Sequence, residues 1–144
     1  MLPLTPSVTQ LSQIIAQITA PSFLLGAVAA FVSVLIQRMN RVIDRMQVLN
    51  DIDDNDSRRA RLKADLPRLE RRAVFLNRAI FLATASAIVT SLLVVVAFVA
   101  AMFSVRHEFG IALLFIVALG CFTMALINLA LELRIALHGF DNFK

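Results

Sequence analysis

Two groups of residues in this sequence have the types and spacing to do chemistry. The first is a row made of Ser22, Gly26, Ala29, Ser33, Gln37, Asn40, Asp44, Gln47 and Asp51. At about 100° per residue on a helix, these nine fall inside a sector of roughly 80°. The row is small and weakly polar in its first half, polar to acidic in its second, and Arg38, Arg41 and Arg45 point elsewhere. The residues facing away are apolar: Phe23, Leu24, Leu25, Val28, Phe31, Val32 and Leu35. Hydrocarbon accepts such a back and rejects such a stripe, so the stripe must meet protein or water. With several copies around an axis it would line a water-filled pore, narrow from Ser22 to Ser33 and widening from Gln37 to Asp51. Acidic rings in such a pore favour cations. The competing reading is packing alone, in which small residues let helices approach closely and the acidic half is a solvated face.

The second group is Asn128 and Glu132, one helical turn apart in the last apolar run. Glu132 lies at about the depth of Gln37–Arg41 and Arg78, near one membrane boundary. There a charge costs less than the roughly 2.5–3.5 kcal/mol it costs at the bilayer centre. The expected role is a salt bridge from Glu132 to Arg78, Arg41 or its neighbour Arg134 that locks the helices together; a gating or proton-sensitive contact is the alternative.

Other candidates weaken on inspection. Asp51, Asp53 and Asn55 match the first alternating ligands of a calcium-binding EF-hand, but Asp56 stands where glycine is needed and Leu62 where a bidentate Glu is needed. A solvated turn, with Asp56 or Ser57 capping the returning helix, is the simpler reading. Arg58, Arg59, Arg61, Lys63, Arg68, Arg71 and Arg72 could meet anionic headgroups, although topology-setting charge explains them equally well. His107 and His138 have no metal-ligand company, and Cys121 reads as a small packing residue. No catalytic triad, paired-carboxylate site, phosphate-binding loop or dinucleotide fingerprint is present. No enzyme activity, metal or cofactor is expected.

The elements that must carry these groups are long helices. Of 144 residues, 59% are hydrophobic and the mean hydropathy is +0.80, far above soluble domains. The apolar runs are about 20 residues long without period-2 alternation, which suits spanning helices and excludes a barrel. Residues 1–20 carry no charged side chain; Pro3 and Pro6 keep the start extended, and Ser7 or Thr9 could cap a short amphipathic helix lying at the outer surface. Pro21 can begin a helix, and the first span from there runs out of the membrane past Gln37. Leu62, Leu66, Leu69, Ala73 and Leu76 return with coiled-coil spacing, so residues 38–78 form an antiparallel hairpin, with Pro67 kinking or restarting the returning arm. The second span is about Ala79–Phe103, with Ala79, Ala83, Ser86, Thr90, Ala97 and Ala101 on one face. A turn at Ser104–Gly110 leads to a third span at about Ile111–Leu133, followed by a short polar tail. The chain thus divides into 1–20, 21–104 and 105–144.

Charge sets the orientation. Eleven of the fourteen basic residues lie between Arg38 and Arg78, and the loop between the second and third spans holds one. The hairpin is therefore expected in the cytoplasm, the N-terminus outside and the C-terminus inside. This explains the basic residues without nucleic acid.

Pro21-Ser22-Phe23-Leu24-Leu25-Gly26, the long first helix, Arg38-Met39-Asn40-Arg41 and Leu69-Glu70-Arg71-Arg72 together resemble a bacterial family of small three-helix membrane proteins classed only as a domain of unknown function. The resemblance covers nearly the whole chain and implies an inner-membrane protein, but carries over no catalytic residue. The expectation is therefore an all-α membrane protein with three spans, a cytoplasmic coiled-coil hairpin and an N-terminal interfacial helix. It would associate with the lipid bilayer and with itself in a ring, a pentamer being the working number, as a channel for inorganic cations. The alternative is a non-conducting scaffold whose hairpin docks a cytoplasmic partner. A small transporter subunit has little support, because no helix is broken by Gly or Pro in the way such sites require.

Overall fold

A computed structural model describes residues 7–53, 55, 59–103 and 108–141, with the side chains of 139–141 excepted. Pro3, Pro6, Asp56, Ser57, Arg58, Ser104 and His107, named above, lie outside that description. Four helices follow in order: α1 Val8–Asn50, α2 Ala60–Lys63, α3 Leu66–Met102 and α4 Glu108–Asp141. Three of them are long and apolar enough to cross a membrane, and no more than 17% of the apolar window of any one is buried inside the protein. The rest of that apolar surface needs a non-aqueous solvent, and the chain is a multi-pass membrane protein.

α1 begins with a reciprocal cap. The Gln10 backbone N–H donates to Ser7 Oγ at 3.3 Å, and the Ser7 N–H donates to Gln10 Oε1 at 3.1 Å. From there the helix runs without a break to Asn50, straight through Pro21. The expected boundary between residues 20 and 21 is therefore not a helix boundary. Proline removes one backbone donor, so the Gln17 carbonyl loses its usual partner while the helix continues. Thr19 Oγ1 donates to the Ile15 carbonyl and Ser22 Oγ to that of Ile18, each at 2.7 Å. At about 1.5 Å per residue, 43 residues extend roughly 65 Å, twice the hydrocarbon thickness.

The other departures have equally local causes. α3 starts with Pro67 in its first turn, where the missing N–H costs nothing, so the proline restarts the returning arm and leaves α2 as a separate turn. α4 starts at Glu108 rather than near Ile111, its carboxylate in the first turn suiting the positive helix end. It also continues past Leu133 to Asp141, so the expected polar tail is helical over its described part.

α3 is the middle helix: α1 and α4 each pack along it and touch one another little. Leu35, Val42 and Leu49 of α1 recur every seventh residue and are buried, as are Leu69, Leu76 and Ala83 of α3. With Leu24, Val28, Ala79, Ala118 and Ala125 they form one continuous core along the three long helices. Small side chains bring the helices close. Ala79, Ala83, Ser86 and Thr90 are wholly buried on α3, and Ser86 Oγ donates across to the α4 carbonyl of Ala118 at 2.7 Å. α1 reaches α4 directly at Phe31 and Phe122, whose rings meet edge to face at 5.4 Å.

Because Ala83 has no free space around it, Ala83→Leu should destabilise the protein by about 1–3 kcal/mol. Ala130→Leu, on the exposed side of α4, should be nearly neutral. Thermal unfolding of the two variants in detergent micelles checks the difference.

Candidate functional site: a buried carboxylate and a bare helix face

Ala118, Cys121, Ala125, Asn128 and Glu132 share one side of α4, and that side turns inward. The Glu132 carboxylate ends up with no exposed surface. Stripped of water, it must find charged partners, because an uncompensated carboxylate in such surroundings is very costly. Each oxygen has its own guanidinium. Arg38 of α1 donates to Oε2 through Nη2 at 2.7 Å and Nε at 3.1 Å. Arg72 of α3 donates to Oε1 through Nε at 2.8 Å. The arginine side chains keep 29% and 23% of their surface, so the excess positive charge stays in touch with solvent. Arg68, one turn before Arg72, donates to the α4 carbonyls of Ile135 (Nε 3.2 Å, Nη2 2.7 Å) and Ala136 (Nη2 2.9 Å). One carboxylate and three arginines thus join all three long helices at one level.

The bridge exists, but with other partners than the sequence suggests. Arg41 and Arg78 are exposed and are not among the donors to Glu132. Azimuth, rather than depth, decides. Arg38 follows the buried Leu35 by three residues and Arg72 follows the buried Leu69 by three, which puts each about 60° from its helix's inward line. Arg41 lies about 120° from that line on α1, and Arg78 about 160° from it on α3. Arg134, also considered, is exposed on α4. Asn128 does not join the cluster; its Nδ2 donates to its own helix at the Met124 carbonyl, 2.8 Å away. Arg68 and Arg72, read above as candidates for lipid contact, are spent inside the protein. Leu35–Arg38 and Leu69–Arg72 place an arginine three residues after a buried leucine; Leu131–Arg134 shares the spacing, but its leucine is exposed and its arginine is not a partner.

The α1 row is placed quite differently. Ser22, Gly26, Ala29, Ser33, Gln37, Asn40, Asp44, Gln47 and Asp51 are all exposed, on the side opposite Leu35, Val42 and Leu49. Neither α3 nor α4 covers any of them. Ser22 Oγ and Ser33 Oγ satisfy themselves on their own helix, Ser33 on the Ala29 carbonyl at 3.2 Å. A Cβ placed on Gly26 would meet nothing within 4 Å, so packing inside the chain gives no reason for glycine there.

If the three-helix tie is as described, Arg38→Gln and Glu132→Gln should each destabilise the protein, Glu132→Gln by about 3 kcal/mol. A double-mutant cycle on the pair should show coupling of about 0.5–3 kcal/mol, whereas a cycle pairing Glu132→Gln with Arg78→Gln should be additive. Unfolding midpoints in one detergent read both cycles.

No curated protein and no solved structure matches this chain. A family model described as "Protein of unknown function (DUF2721)" matches residues 18–141, a stretch that takes in the bare face of α1 and the Glu132 cluster. The chain belongs to that family.

Proposed function

We propose that the protein is a homo-oligomeric, cation-preferring membrane channel in which α1 of each copy faces a shared axis. One observation carries this reading: the polar row of α1 stays uncovered along its whole length, although from Phe23 to Ile36 every other residue of the helix is apolar. A lipid-facing helix has no use for Gln37, and a face closed by its own subunit would not be exposed. Gathering copies around the row solves both problems, because closed rotational symmetry brings the same face of every copy to the axis. A pentamer remains the working number.

In this arrangement Ser22, Gly26, Ala29 and Ser33 form the narrow part, where self-satisfied hydroxyls and a glycine leave room for ions with their water. Gln37, Asn40, Asp44, Gln47 and Asp51 form a vestibule whose acidic rings concentrate cations. The surroundings are the bacterial inner membrane, with the N-terminus outside and the hairpin and C-terminus in the cytoplasm, following the excess of basic residues between Arg38 and Arg78. The hairpin is a short antiparallel coiled coil, supported by the seven-residue recurrence of Leu35, Val42 and Leu49 against Leu69 and Leu76. Residues 8–20 continue α1 to the outer interface. The scaffold reading, with a hairpin that docks a partner, is favoured by no particular contact.

The test is electrical. Purified protein in planar bilayers should pass cation-selective current. Ser33→Asp should raise the preference for cations, and Gln37→Lys, which places a ring of positive charge at the mouth of the vestibule, should cut cation current severalfold. Absence of current from folded oligomer, or currents untouched by either substitution, contradicts the proposal.

A further inference from the structure

A second feature lies outside both the Glu132 cluster and the α1 row. Where α3 begins and α4 nears its end, a cleft of about 600 Å³ opens between the two helices. Its walls include Asp65, Pro67 and Arg68, with Arg71 beside them on α3, and Arg134 and His138 on α4. Three arginines thus face one carboxylate. Arg68 is committed to the Ile135 and Ala136 carbonyls, so it fixes the junction rather than serving a ligand. Arg71 and Arg134 are exposed and take no part in the Glu132 contacts. They stand on two different helices over one opening.

The depth of the cleft narrows its ligand. From Ile111 to Leu131 α4 carries no charged side chain, a length of about 30 Å that matches the hydrocarbon layer. Arg134 follows Leu131 by three residues, about 4–5 Å further along the helix. The Arg72–Glu132 contact brings this part of α3 to the same level. Both free arginines therefore sit in the headgroup layer. Leu133 and Leu137, exposed on either side of Arg134, offer apolar surface at the rim. Guanidinium groups bind phosphate oxygens through paired, charge-assisted hydrogen bonds. Asp65, half-buried in the same cleft and making no side-chain cap for α3, opposes an anion and limits its affinity.

We propose that this α3–α4 cleft binds the phosphate of an anionic phospholipid headgroup, held by Arg71 and Arg134, with the acyl chains continuing along the exposed apolar surface of α4. The site is independent of whether the protein conducts.

Native mass spectrometry of the full chain in detergent, with equal amounts of phosphatidylglycerol and phosphatidylcholine added, tests it. The protein should retain phosphatidylglycerol in clear preference. Arg71→Gln with Arg134→Gln should remove most of the preference, and Asp65→Asn should strengthen it. Should the double variant fail to fold, the gain expected for Asp65→Asn decides alone. Equal retention of the two lipids, a double variant that keeps the preference, or an Asp65→Asn variant without gain overturns the proposal. So does displacement of phosphatidylglycerol by inorganic phosphate alone, which would make the cleft a site for the free anion.

Discussion

Glu132 has lost all contact with water, and the architecture at the membrane edge follows from what that requires. A carboxylate there is tolerable only with its oxygens occupied by donors that carry charge. Arg38 and Arg72 come from the two other long helices, so satisfying one side chain also sets the level at which α1, α3 and α4 meet. Arg68 adds a second tie between α3 and α4 one turn away. Above and below that level the packing is ordinary: leucines and valines at seven-residue intervals on one side, alanines and hydroxyl residues where the helices approach closely on the other.

Once those contacts are made, α1 has no further partner among the described residues of its own chain. Its inner face is used by Leu24, Val28, Leu35, Val42 and Leu49, and its outer face is the polar row. α3 packs against both neighbours and turns Phe81, Ile88 and Val95 outward, and α4 presents bulky aliphatic residues such as Leu113, Ile116 and Ile127, all of which suit lipid. The molecule is therefore asymmetric in its needs. Two helices are content among themselves and hydrocarbon, and one carries a surface content with neither. That imbalance, and not any single polar residue, is the reason for placing copies of α1 around an axis.

Much of the fold was legible from spacing alone. Apolar length reveals the three long apolar helices, and the recurrence of Leu69 and Leu76 reveals the buried line of α3. Ala79, Ala83, Ser86 and Thr90 betray the close-packed face of α3 because small residues at that spacing have few other uses. The errors came from signals that have two meanings. Pro21 suits the first turn of a helix, yet a long membrane helix can also carry it internally at the loss of one backbone bond. The polar residues after Leu133 look like a tail, but nothing in them breaks a helix before Gly139, and Arg68 holds the stretch against α3. The partners of Glu132 were sought by depth along the helices, where several arginines are equivalent. The angle around each helix distinguishes them, and that angle was already readable from the row of buried leucines.

The most direct measurement asks whether copies meet at the bare face of α1. On a Cys121→Ser background, a spin label at Ser33→Cys reports distances between subunits in lipid bilayers by pulsed dipolar spectroscopy. Copies gathered around α1 should give short intersubunit distances at Ser33 and longer ones from a label at Met124→Cys on the exposed side of α4. A protein that shows no dipolar signal in lipid at either position, or shorter distances at Met124 than at Ser33, would contradict assembly through the face of α1.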